Sequence, residues 1–124
     1  MIEIKPILTQ KDLMLHYKFI TGIPTVDITP ETMLARCLLG DYIALSFVED
    51  NEPKGIVFFK GTGDSAFIVG IHLQDKTKLF YNLFYEQLKN SGYKYLKAVS
   101  KLPTEKFEGF SGFKKLWSVY GKEL

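Results

Sequence analysis

The sequence contains little of several residue types, and each shortage excludes a class of protein. Among its 124 residues there is one cysteine, Cys37, so no internal disulfide can form and a reducing, intracellular setting is expected. The longest apolar runs reach five or six residues, against the ~20 that a membrane-spanning helix needs. The first fifteen residues are charged and lack an apolar stretch of secretory length. These features predict a cytoplasmic protein that does not contact a membrane.

Arginine and metal ligands are also scarce. Arg36 is the only arginine, and because the readout of bases and phosphates depends strongly on arginine, nucleic-acid binding is not expected. The two histidines, His16 and His72, lie far in sequence from each other and from Cys37. This spacing gives no metal-ligand motif, so no metal site is predicted.

The residues that are abundant predict one packed domain. Hydrophobic residues make up 46% of the chain and aromatic residues 15%, which is enough for a core and argues against disorder. A chain of this length supports a single core, so residues 1–124 are expected to form one domain.

The spacing of the apolar residues predicts an α/β fold. Six segments are rich in β-forming residues and predict strands: 2–8, 42–48, 55–61, 65–73, 94–100 and 113–124. Four helices are predicted: one capped by Thr9, one capped by Thr29 and ended by Gly40, one over about 76–91, and a short one over 104–111. Residues 42–73 are expected to form an antiparallel meander with a bulge at Gly70. Strands 65–73 and 94–100, joined through a helix, are expected to be parallel.

The predicted helix over 76–91 has an apolar face with tyrosines beside it. The apolar face consists of Leu79, Phe80, Leu83, Phe84 and Leu88. Tyr81 and Tyr85 are four residues apart and share a neighbouring face. Tyrosines in a row are typical of protein interfaces, so this face predicts a protein partner or self-association. The alternative, in which both rings lie flat over the edge of the sheet, stays open.

The order of the elements and two segments of the chain carry a family resemblance. One segment is the hairpin "VEDNEPKGIVFF", and the other is the C-terminal stretch that contains Gly112-Phe113. Together with the element order, they resemble the GNAT superfamily of N-acetyltransferases over nearly the whole chain. The resemblance implies a GNAT-like α/β fold with a mixed, splayed sheet. It also implies that acetyl-CoA would lie between strands 65–73 and 94–100 where they diverge.

The loop that the resemblance assigns to the cofactor's pyrophosphate lacks the superfamily's glycines. The corresponding residues here are Gln74, Asp75, Lys76, Thr77 and Lys78. In one interpretation the amides of the helix N-terminus and the two lysines still hold acetyl-CoA. In the other, Asp75 caps the helix, the lysines are solvated and no cofactor binds. Because side chains crowd the pyrophosphate position, an affinity of about millimolar or weaker is expected.

The candidate residues for proton transfer are spread along the chain. The resemblance implies a general acid, often Tyr, four residues before the Gly-Phe pair, and this position holds Glu108. A Glu needs burial to raise its pKa far enough to donate a proton. Tyr120 and His72 are the other candidates, with packing as the alternative role of each. Ser46 is expected to be an ordinary strand residue, and His16 a packing or surface residue.

Two classes of function stay open. The altered loop and the missing Tyr favour a non-catalytic GNAT-fold protein that serves as a structural, assembly or interaction component and holds no cofactor. Relatives of this kind occur in phage genomes, so a virion is the second expected location beside the cytoplasm. The alternative is an acetyl-CoA-dependent N-acetyltransferase with an atypical phosphate-binding loop.

Overall fold

A mixed sheet forms the centre of the computed structural model, which describes residues 1–23, 29–74, 77–99, 114–116 and 119–124. Its strands are β1 (Ile2–Pro6), β2 (Ile43–Glu49), β3 (Glu52–Thr62), β4 (Ser65–Leu73), β5 (Tyr95–Val99), β6 (Lys114–Leu116) and β7 (Val119–Glu123). The helices are α1 (Gln10–Leu15), α2 (Tyr17–Ile20), α3 (Pro30–Leu38) and α4 (Thr77–Asn90). The strand order across the sheet is β1-β2-β3-β4-β5-β7-β6. None of these helices is long and apolar enough to cross a membrane.

The directions of the strands confirm the predicted mixed α/β sheet. Strands β4 and β5, joined through α4, are parallel, whereas the other described neighbours are antiparallel. One prediction is wrong: the segment 113–124 contains two antiparallel strands, with Leu116 opposite Val119. Between Lys114 and Tyr120 there is no glycine or proline to signal a reversal. The sequence pattern therefore cannot distinguish one long strand from two short ones.

Side-chain caps confirm two of the predicted helix starts. The backbone N–H of Asp12 donates to the Thr9 hydroxyl oxygen at 3.1 Å, and that of Thr32 donates to the Thr29 hydroxyl oxygen at 3.2 Å. Each cap satisfies one N–H group that the first helical turn leaves without a partner. The helix after Thr9 is interrupted at His16, which separates α1 from α2.

The two faces of the sheet carry separate apolar clusters. On the α4 face, the Phe47 ring packs edge-on against Phe80 and Phe84, with ring centroids 5.3 and 6.2 Å apart. On the opposite face, helices α1 to α3 contribute buried side chains that include Phe19 and Met33. We call the second side the α1–α3 face. The sheet is thus the middle layer of three, as in other α/β domains.

Helix α4 presents a narrower apolar stripe than the sequence predicts. Phe80, Phe84 and Leu88 lie four residues apart and are at most 1% exposed, so they cover the sheet. Leu83 is half-buried. The expectation that Leu79 packs on the sheet is wrong, because it is 52% exposed. It lies in the first turn of α4, one position before the buried row begins.

The two leucines of α4 provide a matched test of this burial pattern. We expect Leu88→Ala to lower the free energy of unfolding by about 2–5 kcal/mol, because it leaves a cavity in the core. Leu79→Ala should change it by about 0.5 kcal/mol or less, as is usual at exposed positions. Urea unfolding of both variants measures the two changes. Equal losses would contradict the described orientation of α4.

Candidate functional site

A β-bulge in β4 confirms the irregularity predicted at Gly70 and organises the candidate site. Phe58 of β3 pairs with Gly70, but the next residue, Phe59, pairs with Ile68, so Val69 is an extra residue in β4. Before the bulge, Ala66 and Ile68 belong to the cluster on the α4 face. After it, Ile71 and Leu73 take that face, so the alternation has shifted by one residue.

The same region marks the point at which β4 and β5 separate. Their parallel pairing extends from Ser65 opposite Tyr95 to Ile68 opposite Ala98. Beyond Ile68, β4 continues to Leu73 while paired with β3 on its other side. The edge of β4 from Val69 to Leu73 therefore extends beyond its pairing with the described part of β5. We call the space beside this edge the gap, and its closed end is at Ile68 and Ala98. The predicted divergence of these two strands at their C-terminal ends falls partly on residues after Val99, which lie outside the described residues, so it stays a prediction.

The shift in alternation turns His72 onto the α1–α3 face. Without the extra residue, His72 would share the α4 face with Ala66 and Ile68, because side chains alternate along a strand. Its half-buried ring instead lies 5.9 Å from the Phe19 ring, measured between centroids. A Cβ atom on Gly22 would come within 3.0 Å of His72 Cε1, so the absence of a side chain there makes room for the imidazole.

The loop after β4 is only partly described, and it does not offer all its amides to a ligand. The backbone N–H of Gln74 donates to the carbonyl oxygen of Lys54 at 2.8 Å, which keeps it on β3. Thr77 starts α4, and Lys78 is exposed in the first turn. Asp75 and Lys76 lie outside the described residues. Among the five residues predicted to bind phosphate, Lys78 is thus an exposed cation that the structure describes. It lies at the mouth of the gap.

Of the two remaining candidates for proton transfer, the structure describes the backbone of one and does not describe the other. Glu108 and the Gly112-Phe113 pair lie outside the described residues. The backbone of Tyr120 is in β7, opposite Ala98. Since Ala98 also pairs with Ile68, Tyr120 lies two strands from β4, at the level where the gap closes. His72 lies four residues beyond Ile68 on β4, so two strand spacings and four residues along the strand separate the backbones of Tyr120 and His72.

The α1–α3 face contains a buried His–Ser pair that the sequence pattern did not predict. His16 Nδ1 lies 2.7 Å from the carbonyl oxygen of Asp12, which can only accept, so Nδ1 carries the proton. His16 Nε2 then accepts the hydroxyl proton of Ser46 at 2.6 Å. Both residues are at most 5% exposed. His16 takes the packing role, one of the two expected for it. Ser46 is not the ordinary strand residue expected from sequence, because folding joins it to a partner 30 residues away.

The pair is not part of the His72 site. Ser46 and His72 both pair with Ile56, on its two sides, so two strand spacings, about 10 Å, separate their backbones. The pair instead joins the end of α1 to β2. A hydroxyl and an imidazole that satisfy each other in the core fix the position of a helix on a sheet.

Other reactive side chains in the described part of the chain form no site. Cys37 is half-buried on α3, and burial raises the pKa of its thiol, which disfavours the reactive thiolate. No three His, Cys, Asp or Glu side chains of the described residues come close enough to hold a metal ion. A cavity of about 440 Å³ lies between the second half of α4 and the end of β7, away from the gap.

The two tyrosines of α4 lie side by side but are not freely exposed. The rings of Tyr81 and Tyr85 stack with centroids 5.9 Å apart and planes inclined by 20°. Both residues are half-buried, and Tyr85 packs on the cluster of the α4 face. Burial raises the pKa of Tyr81 to about 12. The shared face is confirmed, and its use by a partner stays a prediction.

The architecture occurs in solved acetyltransferases of low sequence identity. The ribosomal-protein-S18-alanine N-acetyltransferase from Escherichia coli gives a TM-score of 0.73 at 14% identity, over 99% of this chain and 94% of that one. A GNAT family acetyltransferase from Elizabethkingia anophelis with acetyl-CoA bound gives 0.68 at 15% identity, over 99% and 98%. PaiA N-acetyltransferase from Thermoplasma acidophilum in complex with coenzyme A gives 0.66 at 18% identity, over 100% and 99%. No protein-family profile and no curated protein matches significantly.

The chain therefore has the GNAT fold that the resemblance implied. The match to these structures covers 99–100% of the chain, so it includes the mixed sheet and the helices on both of its faces. The chain is an α/β protein with the GNAT fold.

The His16–Ser46 pair can be tested by a double-mutant cycle. Ser46→Ala leaves the buried Nε2 of His16 without its donor, and we expect a loss of about 1–3 kcal/mol in the free energy of unfolding. The exposed Ser91, whose hydroxyl donates to the Gln87 carbonyl oxygen at 2.8 Å, is the control. Ser91→Ala should cost about 0.5 kcal/mol or less.

The second arm of the cycle replaces both partners. His16→Leu combined with Ser46→Ala removes the buried polar groups together, so it should cost less than the sum of the two single changes. Strict additivity in urea unfolding would show that the two side chains do not depend on each other.

Proposed function

We propose that this chain is an acyl-CoA-dependent N-acyltransferase that works at the gap between β4 and β5. The bulge at Val69 carries the proposal, because one extra residue both accompanies the opening of the gap and turns His72 onto the α1–α3 face. The solved structures of the same fold with acetyl-CoA or coenzyme A bound support the class of cofactor.

The residues that border the gap fit an acyl-CoA. Every second residue between Val69 and Leu73 directs its backbone N–H and C=O away from β3, toward the gap. An extended amide-containing chain can pair with such an edge as an added strand does. At the mouth of the gap, Lys78 would hold the phosphates by charge, because the Gln74 amide is already bonded to Lys54. Because the charge of Lys78 would replace the backbone amides of a glycine-rich loop, we expect the acyl-CoA to bind weakly.

The chain's own contribution to the reaction is proton transfer and positioning. Bound acyl-CoA would supply a thioester, whose carbonyl carbon bonds to the amine nitrogen as the carbon–sulfur bond breaks, giving an amide and the free thiol. We assign to His72 the proton that the amine loses, since a neutral imidazole has one ring nitrogen that can accept a proton. Phe19 and Gly22 hold the His72 ring in place. Tyr120 is the proposed proton donor to the sulfur, with Glu108 as the alternative.

His72→Gln tests the assignment. We expect it to lower kcat by about 10²–10⁴-fold, the range typical of a lost general base, because glutamine cannot accept the proton. Acetyl-CoA binding should stay within about twofold of the wild type, since the backbone edge of β4 is unchanged. The assay follows thiol release at millimolar acetyl-CoA with small amines and with a peptide that begins with alanine. The peptide is included because one structure of this fold belongs to an alanine N-acetyltransferase of a ribosomal protein.

Tyr120→Phe is the companion variant, and it should lower kcat without changing acetyl-CoA binding. A wild-type protein that transfers acetyl to none of these amines would contradict the proposed activity. Undiminished transfer by His72→Gln would contradict the role of His72 alone.

A second candidate function is a non-catalytic assembly or interaction component that uses no cofactor. It is favoured by the lack of glycine between Gln74 and Lys78 and by the bond that occupies the Gln74 amide. The face of Tyr81 and Tyr85 is the proposed surface for self-association or a protein partner. The comparisons give no support to a phage or virion role, so the cytoplasm is the proposed location.

Light scattering distinguishes this candidate from a monomeric enzyme. If the tyrosine face holds copies together, the wild type should be larger than a monomer, and Tyr81→Ala with Tyr85→Ala should reduce it to a monomer that stays folded. Tyr95→Ala, at a tyrosine that is 42% exposed elsewhere, is the control and should leave the assembly intact. A wild type that is monomeric at all concentrations and acetylates an amine would exclude this function.

A further inference from the structure

Strand β1 lies at one end of the strand order, beside β2. Within the described part of the chain, β2 is the one strand that pairs with β1, from Ile2 opposite Glu49 to Pro6 opposite Leu45. The other side of β1 is therefore an outer edge of the described sheet. An edge of this kind can pair with a strand from another chain.

Two hydrogen bonds to β2 show which backbone groups of β1 point outward. The N–H of Ile7 donates to the carbonyl oxygen of Ala44 at 3.0 Å, and the Met1 carbonyl oxygen accepts from Asp50 at 3.0 Å. Because successive residues of an antiparallel strand direct these groups to opposite sides, the odd-numbered residues bond to β2. The even-numbered residues direct their groups to the outer edge: Ile2, Ile4 and Pro6.

The side chains of β1 separate apolar residues from charged ones. Ile2 and Ile4 pack on the cluster of the α4 face. Glu3 and Lys5 lie on the other face, with Lys5 Nζ 3.4 Å from Glu3 Oε1, and their side chains are 42% and 50% exposed. The edge therefore carries one negative and one positive charge at equal distances from Ile4.

We propose that β1 pairs with β1 of a second copy of this chain, antiparallel and centred on Ile4. In this arrangement Ile4 lies opposite Ile4 of the other copy, and Glu3 of each copy lies opposite Lys5 of the other. Opposite charges in directly facing positions stabilise a strand pair. The contact has two-fold symmetry, so it closes after two copies and joins their sheets. The inference does not depend on the proposed acyl-CoA site, which lies on β4.

Hydrogen bonding is satisfied in this register. The N–H of each Ile4 donates to the Ile4 carbonyl oxygen of the other copy, since both point outward. The N–H of each Ile2 donates to the Pro6 carbonyl oxygen of the other copy. Proline has no N–H, and at an outward position it removes no bond to β2.

Charge selects this register over its two neighbours. A slide of two residues in one direction keeps the outward groups facing each other, but it places Glu3 opposite Glu3 of the other copy. A slide of two residues in the other direction places Lys5 opposite Lys5. Like charges directly opposite each other destabilise a strand pair. The register centred on Ile4 is therefore the favoured one of the three.

The same residues explain why the partner is a second copy and not any extended chain. A lysine and a proline at an edge usually discourage pairing with other strands. A strand without an acid opposite Lys5 and a base opposite Glu3 leaves both charges without a cross-strand partner. The antiparallel second copy supplies both, so the edge discriminates in favour of its own sequence.

Sedimentation velocity of charge-reversed variants tests the proposal. A single strand edge buries less than the ~1,600 Å² of a standard interface, so the dimer should be weak, and the series extends to about 1 mM protein. We expect the wild type to dimerise within this range. Glu3→Lys and Lys5→Glu should each weaken the dimer by about tenfold or more, because each places like charges opposite each other twice.

A mixture of the two variants should restore pairing. The two lysines of one variant then lie opposite the two glutamates of the other, so a heterodimer should form at concentrations at which each variant alone is a monomer. The combined variant, Glu3→Lys with Lys5→Glu, keeps opposite charges in facing positions and should dimerise as the wild type does. It also keeps the test usable if either single variant does not fold.

Two controls separate this edge from other surfaces. Glu52→Lys makes the same chemical change in β3, where Glu52 Oε2 lies 3.7 Å from Lys54 Nζ, and it should leave the dimer unchanged. Tyr81→Ala with Tyr85→Ala should also leave it unchanged. Tyr85 lines a cavity together with Glu123 of β7, on the opposite half of the sheet from β1.

Four outcomes would overturn the inference. They are a wild type that stays monomeric to about 1 mM, a dimer that keeps its affinity in both single variants, a loss in both that neither their mixture nor the combined variant restores, and a dimer that the tyrosine changes abolish. The last outcome would assign self-association to the face of Tyr81 and Tyr85. None of the four bears on the proposed acyl transfer, which is measured separately.

Discussion

One extra residue in β4 determines the arrangement on which the candidate site depends. Val69 interrupts the pairing with β3, and from that point the side chains of β4 exchange faces. The pairing with β5 ends one residue earlier, at Ile68. A strand without this bulge would direct His72 toward α4, on the opposite side of the sheet from the helices that now surround its ring. The end of the pairing with β5 and the position of His72 on the α1–α3 face thus both occur at one local irregularity.

The helices of the α1–α3 face pack closely on the sheet beside the site. Their contacts with the sheet depend on positions that have no side chain or a small one. Met33 approaches the strand only because position 70 is glycine, and the His72 ring fits beside α2 only because position 22 is glycine. The buried bond between His16 and Ser46 fixes the end of α1, and α2 follows directly after it. Changes in this layer should therefore act on the gap although they lie on a different element.

Local patterns predicted local structure, and they failed where distant residues decide the outcome. The caps at Thr9 and Thr29, the bulge at Gly70 and the parallel crossover all leave signals within a few residues, such as a hydroxyl before a helix or a glycine inside a strand. Leu79 is adjacent in sequence to the buried row of Phe80, Phe84 and Leu88, and periodicity does not show how wide the buried stripe of a helix is. The role of Ser46 required a partner from another element, and no spacing rule connects strand and helix positions that far apart.

The central proposal is that the edge of β4 between Val69 and Leu73, beyond its described pairing with β5, binds an acyl-CoA. A titration of the ¹⁵N-labelled protein with acetyl-CoA, followed by backbone-amide NMR, tests it most directly. The account predicts saturable shifts concentrated on the amides from Val69 to Leu73 and on the first turn of α4, with a dissociation constant of about millimolar. Saturation that leaves the β4 amides unchanged, or no shift at any concentration, would contradict it.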